Sequence, residues 1–377
     1  MRTSWLPYLL AALSALTCRA AENDSLVEVR DGKTVTTGKL LAQDKDRAML
    51  LDRSGRLHDL ALNSVKLQTT TSRFQPQSMM EIRHQLPREF GKDLSIGSTR
   101  HYLVLAPSGR ASDYAKIFED QYSTLQRYFK LRGFTLTDPQ FPLVAVVFPT
   151  QRQFTEYARG EGSKTMANML GYYSPRTNRV ALFESEAKSL AVSSIDPLAG
   201  TRESRFRLFS TSESELKSTI IHEATHQIAY NIGLHSRLGE TPRWIVEGLA
   251  TTFEPEGMRS TLAGSQPQER INRDRHLTFQ NFVKSGRRTP KSLRSFIEGD
   301  GLYESAVLDF YAQSWALTFF LVETRPRHYA AYLKRIAARN PLRDYPANER
   351  LADFKETIHA DIDWLDTQFV KYIDGLK

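Results

Sequence analysis

Ile220-Ile221-His222-Glu223-Ala224-Thr225-His226-Gln227-Ile228-Ala229 is the stretch from which the rest of the chain can be read. On an α-helix two histidines four residues apart leave the same face, about one turn from each other, and can grip a single metal ion. Glu223, next to the first histidine, is placed to hold a water and accept its proton. Ile221, Ala224, Ile228 and Ala229 make the remaining faces of the turn read as buried. The plain alternative is a structural helix with two satisfied histidines, since H-E-x-x-H arises by accident in roughly one chain in a hundred of this length.

A second stretch adds weight to the first: Thr241-Pro242-Arg243-Trp244-Ile245-Val246-Glu247-Gly248-Leu249-Ala250. Thr241 is expected as an N-cap and Pro242 as the first residue of a second helix. Glu247 sits one turn in, among Trp244, Ile245, Val246 and Leu249, where a carboxylate is costly to bury without a partner. A dication is such a partner. Gly248 beside it would let this helix approach another backbone closely. Two histidines, a later glutamate and one open position for water make a catalytic zinc set, one Zn2+ per chain on His222, His226 and Glu247. Other third ligands fit less well. A longer motif with a third histidine would want glycine at Ala229 and histidine at Ile232, His235 is nine residues past His226, and Glu240, Glu254 and Glu256 lie in stretches that read as polar loop.

The 377 residues are enough for two or three domains and a substantial core, and apolar and charged content are ordinary for a globular chain. Residues 1–20 read as an export signal: Arg2 supplies the positive start, and Leu6 to Thr17 is apolar but too short to span a bilayer. Cleavage after Ala20 would give an exported protein, periplasmic or extracellular, with no integral membrane segment. Lipidation at Cys18 is the weaker alternative. That cysteine is the only one, so the mature chain would have no disulfide, no thiol nucleophile and no cysteine metal site. The net charge of +8 becomes +6 without Arg2 and Arg19, and the basic residues do not alternate with aromatics as a nucleic-acid surface would. No nucleic-acid partner is expected. The oligomeric state is not legible.

From Leu26 to about Thr70, short alternating runs separated by Asp31-Gly32 and Ser54-Gly55 predict five strands, expected as a small SH3-like β-barrel over residues 22–75. Gln75-Pro76-Gln77-Ser78 marks the boundary. Residues 76–253 then read as strand (His101 to Ala106), helix (Ser112 to Leu131), strand (Leu143 to Phe148), short helix from Gln151, and a hairpin, Gly171 to Phe183, turning at Ser174 to Asn178. That order is α+β. Residues 178–183 are the expected cleft edge, where a peptide could add as one more strand, with plain core sheet as the alternative. Glu184 to Ser210 reads as loop, Ser212 and Glu215 fit a capping box, and Asn231-Ile232-Gly233 should end the histidine helix. Glu254 to about Arg275 is again loop-like and a lid candidate. The remainder of a lobe spanning 254–377 reads as helical from Leu302 onward.

His222-Glu223-x-x-His226 followed by Trp244-x-x-Glu247-Gly248-x-Ala250 resembles the gluzincins, the thermolysin-like and aminopeptidase-like zinc peptidases. The nearer resemblance is to a bacterial family of exported peptidase-MA-like proteins. It rests also on His101 to Val104, Gly171-Tyr172-Tyr173-Ser174-Pro175, Asn178-Arg179-Val180 and Tyr311-Ala312-Gln313-Ser314-Trp315-Ala316-Leu317. The resemblance implies a zincin-like fold, with a small mixed sheet, the histidine helix along the cleft floor and a helical C-terminal lobe. It also implies a metallopeptidase acting on a peptide or protein substrate, with Glu223 as general base and Tyr311 as the group that steadies the oxyanion. A core aromatic is the alternative for Tyr311. For the whole chain the alternatives are an inactive zinc-site scaffold and an envelope-binding protein whose β module is the working part.

Overall fold

The alternating runs near the N-terminus form five antiparallel strands, β1 (Ser25–Asp31), β2 (Thr34–Gln43), β3 (Arg47–Asp52), β4 (Leu57–Ala61) and β5 (Lys66–Arg73), in the order β4-β3-β2-β1-β5. They belong to a computed structural model describing residues 24–31, 34–162, 169–184, 213–259 and 267–376. The expected signal at 1–20, the loop at 185–210 and the capping box at Ser212 and Glu215 lie outside the described residues and side chains. Among the described residues no ladder joins β4 to β5, so the sheet is open and the closed SH3-like barrel is not formed. The reason lies in β5: its Thr, Ser, Gln and Lys residues are largely exposed and offer no apolar row to curl onto β4. Val27, Val29 and Leu50 make a core on one face, and Leu51, Leu57 and Phe74 cover Phe141 of the body on the other.

The body begins with α1 (Met79–Phe90), β6 (Leu94–Ser98), β7 (Tyr102–Pro107), α2 (Ala111–Leu131), β8 (Leu143–Phe148), α3 (Gln151–Gly160), β9 (Gly171–Ser174) and β10 (Arg179–Phe183). Its mixed sheet runs β6-β7-β8-β10-β9, parallel through β7, β8 and β10 and antiparallel at both edges. Every residue of β8 is buried, as a central strand covered on both faces must be. Val144 and Val146 face α1 and α3, whereas Leu143, Ala145 and Val147 face α2 and the histidine helix.

This order overturns one expectation. β10, residues 179–183, lies between β8 and β9, so among the described residues the hairpin's edge strand is β9, residues 171–174. A hairpin's turn can be read locally, but which of its strands faces outward depends on the distant pairing of Arg179 to Phe183 with Val144 to Phe148.

The remaining chain is helical: α4 (Glu213–Asn231), α5 (Arg243–Phe253), α6 (Arg273–Lys284), α7 (Ser292–Glu298), α8 (Gly301–Ser305), α9 (Val307–Thr324), α10 (Pro326–Ala337), α11 (Ala347–Thr357) and α12 (Ile362–Asp374). The architecture is therefore mixed α+β, with an N-terminal antiparallel sheet and a helical C-terminal region. α9 is buried on nearly every side and is the axis of that region, packed most closely by α5. Among the described residues no helix is long and apolar enough to cross a membrane.

Thr241 does not cap α5. Pro242 keeps an extended ψ of 131°, and its own carbonyl receives the Ile245 N–H at 3.0 Å, so the helix starts one residue later than expected. Gly248 does what the sequence suggests. A Cβ there would overlap the Ser314 carbonyl oxygen and the Thr318 hydroxyl of α9. Gly248→Ala should force the two helices apart and cost at least about 2 kcal/mol, the scale of overpacking a filled interior. A melting temperature equal to wild type would refute the close approach.

Candidate metal centre

The histidine helix α4 is held from behind. Ile220, Ala224 and Ile228, at helical spacing, are buried in the main core. Polar ties fix its rotation: Gln121 of α2 donates to Thr225 Oγ1 at 2.8 Å, and Gln227 Nε2 donates to the carbonyls of Val144 (3.0 Å) and Asn178 (2.8 Å). Asn178, with φ of 59°, and Asn231 exchange side-chain amide bonds at 2.9 and 2.7 Å, locking the hairpin turn to the end of α4. Gly233, at φ of 87°, then ends the helix where the sequence places its stop.

These ties turn His222 and His226 toward α5. His222 Nε2 lies 3.1 Å from His226 Nε2, with the two rings close to perpendicular at 87°. Glu247 Oε2 lies 3.4 Å from the first and 3.7 Å from the second. In a tetrahedral site with bonds of about 2.0–2.1 Å, neighbouring donor atoms stand about 3.3–3.4 Å apart, so these three separations bracket that value. Glu247 Oε2 is buried and makes no hydrogen bond, and two Nε2 atoms facing each other cannot both donate. A cation between the three satisfies all of them, and His222, His226 and Glu247 form a cluster able to hold a metal ion.

The charges around the cluster point the same way. Burial opposes a charge on His222, but Glu247 and Glu254 raise its pKa well above the imidazole range. Burial also works against ionised Glu247, yet the two imidazoles draw its carboxyl far below the carboxylate range. Glu223, buried between Tyr173 and the histidines, is pushed up by that burial and further by Glu247, against the pull of His222 and His226. A carboxyl with a raised pKa is better matched to taking up a proton near neutrality.

Glu254 is the residue that composition hid. It follows α5, in a stretch that reads as loop, and its Oε1 lies 2.9 Å from His222 Nδ1. Its Oε2 accepts from Asn272 Nδ2 at 2.7 Å, and that same nitrogen donates to the Thr251 carbonyl at 3.0 Å. Such a carboxylate behind a histidine fixes the ring and its tautomer, leaving Nε2 free for the ion. Glu254 is thus placed to orient His222 and is not among the three residues able to share an ion. The expected lid is accordingly not all loop: Glu256–Arg259 and Pro267–Arg270 are single 3₁₀ turns, and residues 260–266 lie outside the described set.

The other residues weighed from the sequence fall elsewhere. His235 is buried against Tyr230 at 5.1 Å, and burial pushes its pKa down to about 3. Glu240 pairs with Arg350, and Glu256 is 87% exposed. Tyr311 stands on α9, half-buried. Burial, then the charges of Glu247 and Glu223, raise its pKa well above the phenol range, so its hydroxyl stays a donor. The Arg275 guanidinium lies 5.1 Å from its ring centroid.

Against known families, a model described as a protein of unknown function (DUF1570) matches residues 217–343, the stretch that carries His222, Glu223, His226, Glu247, Glu254 and Tyr311. No curated protein matches the chain.

Proposed function

We propose that the protein is a zinc metallopeptidase of gluzincin type, built on a zincin-like arrangement of mixed sheet, histidine helix and helical lobe. The observation that carries the proposal is the triangle of His222 Nε2, His226 Nε2 and Glu247 Oε2, at 3.1, 3.4 and 3.7 Å, around a buried oxygen with no hydrogen bond. Imidazole, imidazole and carboxylate with an open fourth position suit zinc. When bound, zinc would supply Lewis acidity and lower the pKa of a water toward neutrality.

The chain's own residues do the rest. Glu223 takes the proton of the attacking water and delivers it to the leaving amine. Tyr311, kept protonated, donates to the carbonyl oxygen as negative charge develops there. Among the described residues no strand pairs with the outer edge of β9, which packs on α4, so an extended substrate pairs with residues 171–174 and brings its scissile bond to Glu223. Gly171 suits that role: its missing side chain is what allows the strand to lie against Leu182 and Thr219.

The test is a cleavage profile of a proteome-derived peptide library with the purified mature protein. Chelation should abolish cleavage and one equivalent of zinc should restore it. Zinc-loaded, folded protein that cleaves nothing would favour an inactive zinc-site scaffold.

A further inference from the structure

We propose that Arg275 determines specificity at this centre by receiving a carboxylate carried by the substrate. The proposal rests on the metallopeptidase reading above and names the class of substrate it acts on. Arg275 is tethered to the site by a chain of hydrogen bonds. Glu254 holds His222 Nδ1 at 2.9 Å, Asn272 holds Glu254 at 2.7 Å, and the Asn272 side chain caps α6 by accepting the Arg275 N–H at 3.3 Å. The guanidinium reaches the ring of Tyr311 on α9, 5.1 Å from its centroid. Arg275 therefore stands between the residue that orients a ligand and the tyrosine facing Glu247 and Glu223.

Its charge acts on Glu254, which it helps to hold ionised, without an ion pair among the described residues. Among the described residues no carboxylate lies within 4.0 Å of the Arg275 guanidinium, a state it shares with Arg243 over Tyr303, but Arg275 is the one of the two whose charge acts on Glu254 behind His222. A mere counter-charge for Glu254 would be expected in contact with it, but both Glu254 oxygens are engaged by His222 and Asn272. A planar, half-buried guanidinium resting on an aromatic face keeps its fork of donors open for a planar anion. On a peptide that anion is a carboxylate, either the free C-terminus or an acidic side chain close to the scissile bond.

The test uses the full-length mature protein loaded with zinc and three probes of one scaffold. These are a peptide hydroxamate ending in an amide, the same ending in a free carboxylate, and an amide-ended version bearing an aspartate. Calorimetry should show wild type binding at least one carboxylate probe about tenfold or more tighter than the neutral one. Preference for the free terminus identifies a chain end, and preference for aspartate identifies an internal acidic residue. In Arg275→Gln the preference should vanish while the neutral probe still binds, and Arg275→Lys should recover part of it. Equal affinities for all three probes in wild type would overturn the proposal while leaving the metal centre intact. So would a preference that persists in Arg275→Gln. Failure of every hydroxamate to bind zinc-loaded wild type would overturn the metallopeptidase reading and this proposal with it.

Discussion

Glu223→Gln is expected to hold zinc as wild type does, melt within a degree or two of it, and lose nearly all hydrolysis. Glutamine keeps the shape of the side chain and can still hydrogen-bond a water, but it takes up no proton at neutral pH. General-base catalysis typically supplies a factor of about 10² to 10⁴, so kcat should fall by at least that range, with KM changing little. Glu223 is outside the ligand triangle, and its burial raises its pKa, so neutralising it removes a buried charge rather than a support. Cleavage by the variant at the wild-type rate would refute the mechanism.

Glu247→Ala should lose the metal. His222 and His226 would remain on one helix, but two imidazoles without the carboxylate leave the ion with half a tetrahedral set. Outer partners of zinc ligands alone typically cost 10–100-fold in affinity, so removing a ligand should cost more than about 100-fold. Glu254→Ala is the informative comparison: it removes the carboxylate behind His222 and should fall within that 10–100-fold range. Competition with a chelator of known affinity measures both. Full retention of zinc by Glu247→Ala, with loss confined to Glu254→Ala, would exchange the roles of the two glutamates.

What the sequence could show follows from how local each feature is. His222, Glu223 and His226 are legible because one helix turn places them, and no distant contact is needed to know their face. Glu247 is legible because a carboxylate among Trp244, Ile245 and Leu249 demands a partner, and Gly248 because its helix needs a close neighbour. Glu254 is not legible. Its role comes from Asn272, eighteen residues on, across a segment whose Gly, Pro, Ser and Gln content reads as loop. The exchange of β10 for β9 as the hairpin's edge strand has the same origin, since parallel pairing with β8 leaves no local trace. α1 and β6 escaped because Pro87 lies inside the helix and Gly97 inside a five-residue strand. α6 escaped because its exposed face is strongly polar, with only Phe279 and Phe282 buried. A closed barrel is not legible either: alternation predicts strands, whereas closure depends on the last strand having an inner face to bury.

The central claim is that one zinc ion sits between His222, His226 and Glu247. Anomalous scattering from crystals of the protein, collected on both sides of the zinc edge, tests it most directly. The account predicts a single zinc peak about 2.0–2.1 Å from both Nε2 atoms and about 2.0–2.2 Å from a Glu247 carboxylate oxygen, with Glu254 still bonded to His222 Nδ1. A zinc peak on Glu254 or His235 in place of Glu247, or zinc-loaded protein with no peak between the two histidines, would contradict it.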